Sequence, residues 1–160
     1  MPYTLKVEGM GSITEMLAKA EDAAQGIAAR ALYEGAGVVA DEISREARAV
    51  STSRFKFAKG WQRLPSPEEK EALFSAGAAG IARFQKTGNE VNTSVGYSRS
   101  GYATIDGKQK PVAVIANSIN SGTSFMRKQP FIRKALSKSK GKATETITQA
   151  VETMVAEILK

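Results

Sequence analysis

Apolar residues repeat with helical spacing through the first third of the chain. Between Ile13 and Val50 they return every three or four residues, and most charged residues fall on the opposite side. Ser12 and Glu15 form a capping box ahead of this run, in which each side chain accepts a hydrogen bond from a backbone N–H that the first turn leaves unpaired. The pattern therefore predicts a long helix over residues 13–50.

A second helical pattern closes the chain. Pro130 suits the first helical position, because its φ is preset and it has no N–H in need of a partner. Counted from Ile132, the later apolar residues fall within about a 100° arc and stay in phase across Gly141: Leu136, Ala143, Ile147, Val151, Met154 and Ile158. We expect one C-terminal helix over residues 130–159, with this stripe as its apolar face.

Shorter patterns of strand type lie outside these two helices. Residues 3–8 alternate between apolar and polar, as a half-buried strand does. Residues 81–105 contain three further strand-like runs. A turn at 86–89 separates the first two, and the Asp106-Gly107 turn follows the third. We expect these pieces to form a small antiparallel sheet.

Two short segments complete the prediction. Ser66 followed by Pro67 reads as the start of a short helix over residues 67–75, with acidic residues in its first turn. Residues 111–120 fit either a short helix or a strand, and the flanking proline and glycine favour the helix. The whole is an α+β fold, a single domain of residues 1–160 in which a small antiparallel sheet packs with a long N-terminal helix and a long C-terminal helix.

Gly35-Ala36-Gly37-Val38-Val39-Ala40 matches the G-x-G-x-x-A form of a dinucleotide-binding fingerprint. That fingerprint needs a strand before it and a helix that begins at it, whereas this copy lies inside a predicted helix. Small residues that let another helix approach closely are the better explanation.

The composition removes several kinds of chemistry. The 160 residues include no cysteine and no histidine, so disulfides, thiol catalysis, zinc sites built from these residues and imidazole bases are excluded. The carboxylates, lysines and hydroxyls form no catalytic motif, and we expect no enzymatic activity, no cofactor and no metal.

No apolar run approaches the roughly 20 residues of a membrane span, and the first residues lack the layout of a signal peptide. We therefore expect a protein made in a cytoplasm, without membrane contact.

The charge is basic and unevenly placed. The net charge is +7, divided as −3 over residues 1–50, +5 over 51–110 and +5 over 111–160. A basic second half points to acidic partners, either nucleic acid or an acidic protein surface.

The segment from Arg54 to Arg63 also interleaves cations with aromatics, which can stack bases. We favour the alternative in which its aromatics point inward and its cations outward.

The segment between the two final helical patterns carries the most specific motif. Gly122 and its small polar neighbours predict a turn, and Pro130 and Phe131 begin the helix that follows. Gly122-Thr123 followed by Pro130-Phe131-Ile132-Arg133-Lys134-Ala135-Leu136 resembles the signature of the tail-component family of long-tailed double-stranded DNA phages and prophages, described as neck or tail-completion proteins. The opening strand and the alanine-rich helix also look like the N-terminal half of that family.

The resemblance implies a structural virion protein at the head–tail junction, assembled in the host cytoplasm and acting in tail completion and head–tail joining. Its partners would be the head-closure, tail-terminator or tail-tube rings, and it could form a ring of its own copies. The residues implied in protein contacts are Gly122, Thr123, Pro130, Phe131 and Arg133. The cations that could meet DNA weakly, or an acidic partner, are Arg127, Lys128, Lys134, Lys138, Lys140 and Lys142. Two alternatives stay open: a tail-terminator ring protein, and a small basic nucleic-acid-binding protein.

Overall fold

The described part of the chain, in a computed structural model, comprises residues 11–53, 61–75, 79–88, 90–158 and 160, of which 11–20 and 75 are described by backbone alone. The strand predicted over residues 3–8 lies outside it. The α+β class is confirmed, with a long helix near each end and short antiparallel strands between them. The helices are α1 (Gly11–Arg48), α2 (Pro67–Ser75), α3 (Val112–Ser121) and α4 (Phe131–Ile158). The strands are β1 (Gly80–Ile81), β2 (Gln85–Thr87), β3 (Glu90–Asn92), β4 (Val95–Gly96), β5 (Tyr102–Ile105) and β6 (Lys108–Pro111).

Helices α1 and α4 form an antiparallel pair, with contacts from Glu46 against Lys138 to Gly35 against Ile147. The helices approach closely at Gly35, where an added Cβ would lie 2.4 Å from Ile147 Cγ1 and 3.2 Å from the carbonyl oxygen of Ala143. The close helix approach predicted for the Gly35-Ala36-Gly37 segment is confirmed at Gly35. At Gly37 an added Cβ would meet nothing within 4 Å.

The buried face of α4 agrees with the predicted stripe only in part: Ala143 is buried and Ile147, Val151 and Met154 are partly buried. Its buried residues are Phe131, Ala135, Ser139, Ala143 and Ala150. Leu136, a member of the predicted stripe, is 49% exposed, and Ile158 is 60% exposed. Small residues are buried along this face, and Ile147 packs where the facing residue on α1 is Gly35, which has no side chain. Ser139 fits there because its hydroxyl donates to the carbonyl of Ala135, 2.7 Å away.

The strands pair as three separate two-stranded antiparallel ladders in the described residues, not as the one sheet expected. β1 pairs with β4 and β2 with β3, along one hairpin that packs against α1 through the ring of Phe84 on Tyr33 (centroids 5.6 Å apart). The third ladder joins β5 to β6 through Asp106 and Gly107, whose φ values of 51° and 75° are those of a type I′ turn. β6 was not predicted, because Lys108–Pro111 has no apolar alternation.

The predicted helix over 111–120 is confirmed as α3, which lies at the centre of the core. The helix contacts α2, α4 and β6, and its buried apolar residues belong to one cluster with residues from the C-terminal end of α1, from α2, from β5 and from the start of α4. The buried core residues are Ile43, Ala47, Val50, Ala72, Leu73, Ile105, Val112, Ile115, Ala116, Ile119, Met126, Phe131 and Ala135. This core fixes both ends of the connection between α3 and α4. None of the described helices is long and apolar enough to cross a lipid bilayer.

Candidate protein-interaction site

The connection between α3 and α4, residues 122–130, is called the corner loop below. It begins at Gly122, whose φ of 76° is in the left-handed region that favours glycine. The Gly122 N–H donates to the carbonyl of Ser118, 2.9 Å away, and so ends α3. An added Cβ at Gly122 would lie 3.0–3.2 Å from the backbone and Cβ of Lys128. The predicted turn is therefore present, and only glycine fits it without strain.

Thr123 folds the first half of the corner loop back on itself. Its hydroxyl oxygen accepts hydrogen bonds from the N–H groups of Phe125 (3.2 Å) and Met126 (3.0 Å). Its own N–H donates to the carbonyl of Met126, 3.0 Å away. Met126 is buried in the core, while Phe125 is 76% exposed. Thr123 thus shapes the loop so that the side chain of Phe125 points outward and that of Met126 points inward.

Gln129 ties the second half of the loop to the end of α1. Its side-chain amide accepts from the N–H of Ser51 and donates to the carbonyl of Ser51, both at 2.9 Å. Its backbone N–H donates to the carbonyl of Ile119 at 2.8 Å. Asn120 adds a contact from α3 to α4, because its side-chain oxygen accepts from the N–H of Ile132 at 3.1 Å. The loop is a hydrogen-bonded junction of three helices.

Pro130 and Phe131 differ from the expectations for them. Helix α4 begins at Phe131, and the carbonyl of Pro130 accepts from the N–H of Lys134 at 3.0 Å, so Pro130 is the N-cap residue instead of the first helical residue. Phe131 is only 2% exposed and packs edge-on to the ring of Tyr97, with centroids 6.4 Å apart. It therefore anchors the core, and its ring is not available to a partner.

A second segment, residues 61–64, runs beside the corner loop. The N–H of Arg63 donates to the carbonyl of Phe125 at 2.8 Å, and the N–H of Arg127 donates to the carbonyl of Arg63 at 2.9 Å. The side-chain amide of Gln62 donates to the carbonyl of Thr123 at 3.0 Å. The two segments therefore form one hydrogen-bonded frame.

This frame carries two exposed aromatic side chains that the sequence did not identify as site residues. Trp61 and Phe125 are each 76% exposed. The preferred arrangement, with aromatics inward and cations outward, is wrong for Trp61, which is 76% exposed, while Arg63 is partly buried, with 31% of its side chain exposed. The sequence did contain a signal for the exposure of Phe125, because it is a large apolar residue among small polar and basic residues in a predicted loop.

Arg63 is held by a buried carboxylate. Its guanidinium donates to both oxygens of Glu69, at 2.6 and 2.7 Å, and the Glu69 side chain is only 5% exposed. Glu69 also completes the capping box at α2, because it accepts from the N–H of Ser66 at 2.9 Å while Ser66 Oγ accepts from the N–H of Glu69 at 3.2 Å. Burial by itself raises the pKa of the Glu69 carboxyl, but the hydrogen bonds from Arg63 and Ser66 outweigh it and leave that pKa below its usual value.

The Arg63–Glu69 pair forms one wall of an open cleft of about 390 Å³, which Ile105, Asp106 and Lys110 also line. The hydrogen bond to Glu69 raises the pKa of Arg63, and the carboxylate of Asp106 contributes to the same shift. The pair fixes the start of α2 against the frame of residues 61–64. The charges of Arg63 and Glu69 therefore neutralise each other inside the protein.

The predicted cations are all exposed, but they do not form one surface. Lys134, Lys138 and Lys142 are four residues apart and share one side of α4, while Arg133 and Lys140 lie on another. The ammonium of Lys138 donates to the carboxylate of Glu46 on α1, which raises the pKa of Lys138. Arg127 and Lys128 extend from the corner loop itself.

Comparisons of the chain with protein-family models, with curated proteins and with solved structures give no match. Among the described residues, no group of three or more acidic side chains is placed to hold a metal ion. What the structure does bring together is the corner loop and the segment beside it, which carry the exposed side chains of Phe125 and Trp61.

Proposed function

We propose that this chain is a structural protein of the neck of long-tailed phage particles, acting in tail completion and head–tail joining through protein–protein contacts. It would be made in the host cytoplasm and would remain at the head–tail junction of the virion. Its partners would be the head-closure, tail-terminator or tail-tube rings.

The observation that carries the proposal is the corner loop. The residues that resemble the tail-component signature, from Gly122 to Leu136, are those that build this junction and anchor it through Phe131. The loop is ordered by its own hydrogen bonds, so little conformational entropy remains to be lost when a partner binds. A junction that is preorganised and exposes aromatic and basic side chains is suited to assembly contacts.

The experiment is a deletion of the gene in the strain that produces the particles, with the products examined by electron microscopy. We expect filled heads and finished tails that remain separate, and joined particles when the wild-type chain is supplied from a plasmid. A matched control supplies the Gly37→Ala chain, whose change lies on α1 away from the corner loop. Normal joined particles from the deletion strain would contradict the proposal.

Nucleic-acid binding is a second candidate, supported by the exposed Trp61 and by the seven cations from Arg127 to Lys142. Neutralising seven phosphates at once would give a log–log salt slope near −6, from about −0.9 per contact. Because the cations lie on different sides of α4 and Lys138 is paired with Glu46, we expect a slope shallower than about −4 and only weak duplex binding. Fluorescence anisotropy of a labelled duplex at several salt concentrations measures the slope. Tight binding at physiological salt would favour this second candidate.

A further inference from the structure

The side chains of Trp61 and Phe125 are largely exposed to solvent. They extend from a backbone frame, residues 61–64 and the corner loop, that hydrogen bonds hold in place. Both are 76% exposed, although each belongs to a backbone segment fixed by hydrogen bonds to the other. Aromatic side chains are enriched in the centres of protein interfaces, where they supply most of the binding free energy. The buried side chain of Met126 and the pairing of Arg63 with Glu69 fix the backbone of this frame. The backbone that carries the two rings therefore does not have to become ordered when a partner binds.

The charges that follow Phe125 in the chain have one sign, whereas carboxylates, those of Glu68, Glu69 and Asp106, line the cleft beside Arg63. Arg127 and Lys128 follow Phe125 directly and are both exposed. Between Asp106 and Glu145 the sequence contains nine lysines and arginines and no acidic residue. The nearest buried carboxylate, Glu69, is already paired with Arg63. The complement of this surface is therefore an acidic segment that also carries apolar side chains.

We propose that Trp61, Phe125, Arg127 and Lys128 form a docking surface for an acidic, apolar-containing segment of a partner protein. The inference rests on the proposed function in one respect, that the partner is a protein. A nucleic-acid strand is the other ligand that aromatics and cations can bind, but it needs cations that follow its backbone along a groove. Here the cations beyond Lys128 divide between two sides of α4, and one of them is paired with Glu46.

The site contains its own reporter, because Trp61 is the one tryptophan of the chain. Its emission can therefore be followed while the full-length protein is titrated with a synthetic peptide of alternating glutamate and leucine. We expect the emission to shift to the blue as the ring leaves water. The matching peptide with glutamine in place of glutamate, and oligothymidylate, are titrated in parallel, and both should bind more weakly.

Two variants test the surface without touching the core. Phe125→Ala and Arg127→Glu change exposed side chains, and each should weaken binding of the acidic peptide by roughly tenfold. Ile158→Ala and Lys160→Glu are the matched controls, since they make the same kinds of change at exposed positions at the far end of α4. The controls should leave the affinity unchanged.

Three results would overturn the inference: an unchanged Trp61 emission with the acidic peptide, equal losses in the control variants, or tighter binding of oligothymidylate than of the acidic peptide. The last result would assign the surface to nucleic acid. Particle assembly separates this inference from the proposed function. If the deletion strain needs the chain but Phe125→Ala supports normal particles, the docking surface is refuted while the neck function stands.

Discussion

Replacing Gly35 by alanine tests how closely α1 and α4 pack. The new methyl group would lie 2.4 Å from Ile147 Cγ1, 2.6 Å from Ile147 Cδ1 and 3.2 Å from the carbonyl oxygen of Ala143. Overpacking of this kind costs about 1–3 kcal/mol, whereas alanine in place of glycine inside a helix gains about 1 kcal/mol. The expected net change is therefore a loss of about 0–2 kcal/mol in the free energy of unfolding.

Gly37→Ala is the matched control, because it makes the same change in the same helix at a position where nothing lies within 4 Å. It keeps the gain in helix propensity without the clash, so it should stabilise the protein by about 1 kcal/mol. Urea unfolding followed by circular dichroism measures both variants. The difference between them, about 1–3 kcal/mol, reports the clash alone.

A double variant identifies the atoms responsible. If the clash is with Ile147, then Gly35→Ala should cost less in an Ile147→Ala background than in the wild-type protein, because the two positions are in contact. If Gly35→Ala stabilises the protein as much as Gly37→Ala does, the helices do not approach as closely as described. Close helix packing at Gly35 would then not be the reason that a glycine occupies this position of α1.

Three further predictions concern the residues around the corner loop. Phe131→Ala should lower the free energy of unfolding by about 3–5 kcal/mol in urea titrations, because the ring is almost fully buried; a small loss would place Phe131 outside the core. Tyr97→Phe should stabilise the protein by about 1 kcal/mol in the same assay, since the Tyr97 hydroxyl is buried with no partner among the described residues; a clear loss would reveal a hydrogen bond. The pKa of Glu69 is lowered in the folded state, so its contribution is complete above the ordinary value of 4.5 and is lost as pH falls through the folded pKa. Unfolding free energies measured at decreasing pH should therefore fall less steeply below that value in Glu69→Gln, and an unchanged slope would contradict the assignment.

Local signals in the sequence predicted the parts of the fold that depend on local chemistry. The helix start at Ser66 and Pro67 is present, and the turn at Gly122 follows from its positive φ. The close approach at Gly35 was also predictable, because a glycine inside a helix has a cost that packing must offset. The helix start and the turn at Gly122 involve residues near one another in the chain or one residue with a special conformation, whereas at Gly35 the sequence indicated the close approach but not its partner, Ile147.

The packing of α4 could not be predicted in the same way. Ala143 of the predicted stripe is buried and Ile147 lies against Gly35, but Leu136 is 49% exposed, and the buried Ala135 and Ser139 were outside the stripe. Large apolar residues usually mark the buried face of a helix. Here the contact joins Ile147 to Gly35, which lies about a hundred residues earlier in the sequence, so the pattern along α4 alone does not show which residues it buries.

The candidate site was predicted in part. The sequence located the corner loop, but it assigned the contact to Phe131, which is buried, and did not name the exposed Phe125; the exposed Trp61 entered only as part of the Arg54 to Arg63 segment, where an inward position was favoured. Both phenylalanines follow small polar or turn residues, so pattern alone does not separate them. Pairing of Arg63 with Glu69 also required knowledge of the tertiary structure, because Glu69 was expected in a solvated first turn.

The most direct test of the neck function is joining in the test tube. Heads and tails are purified from the deletion strain, mixed with increasing amounts of the purified chain, and assayed for infectious particles. We predict that infectivity appears only when the chain is added and rises with its concentration until the junctions are saturated. Infectious particles in the absence of the chain, or none at any concentration of it, would contradict the proposed function.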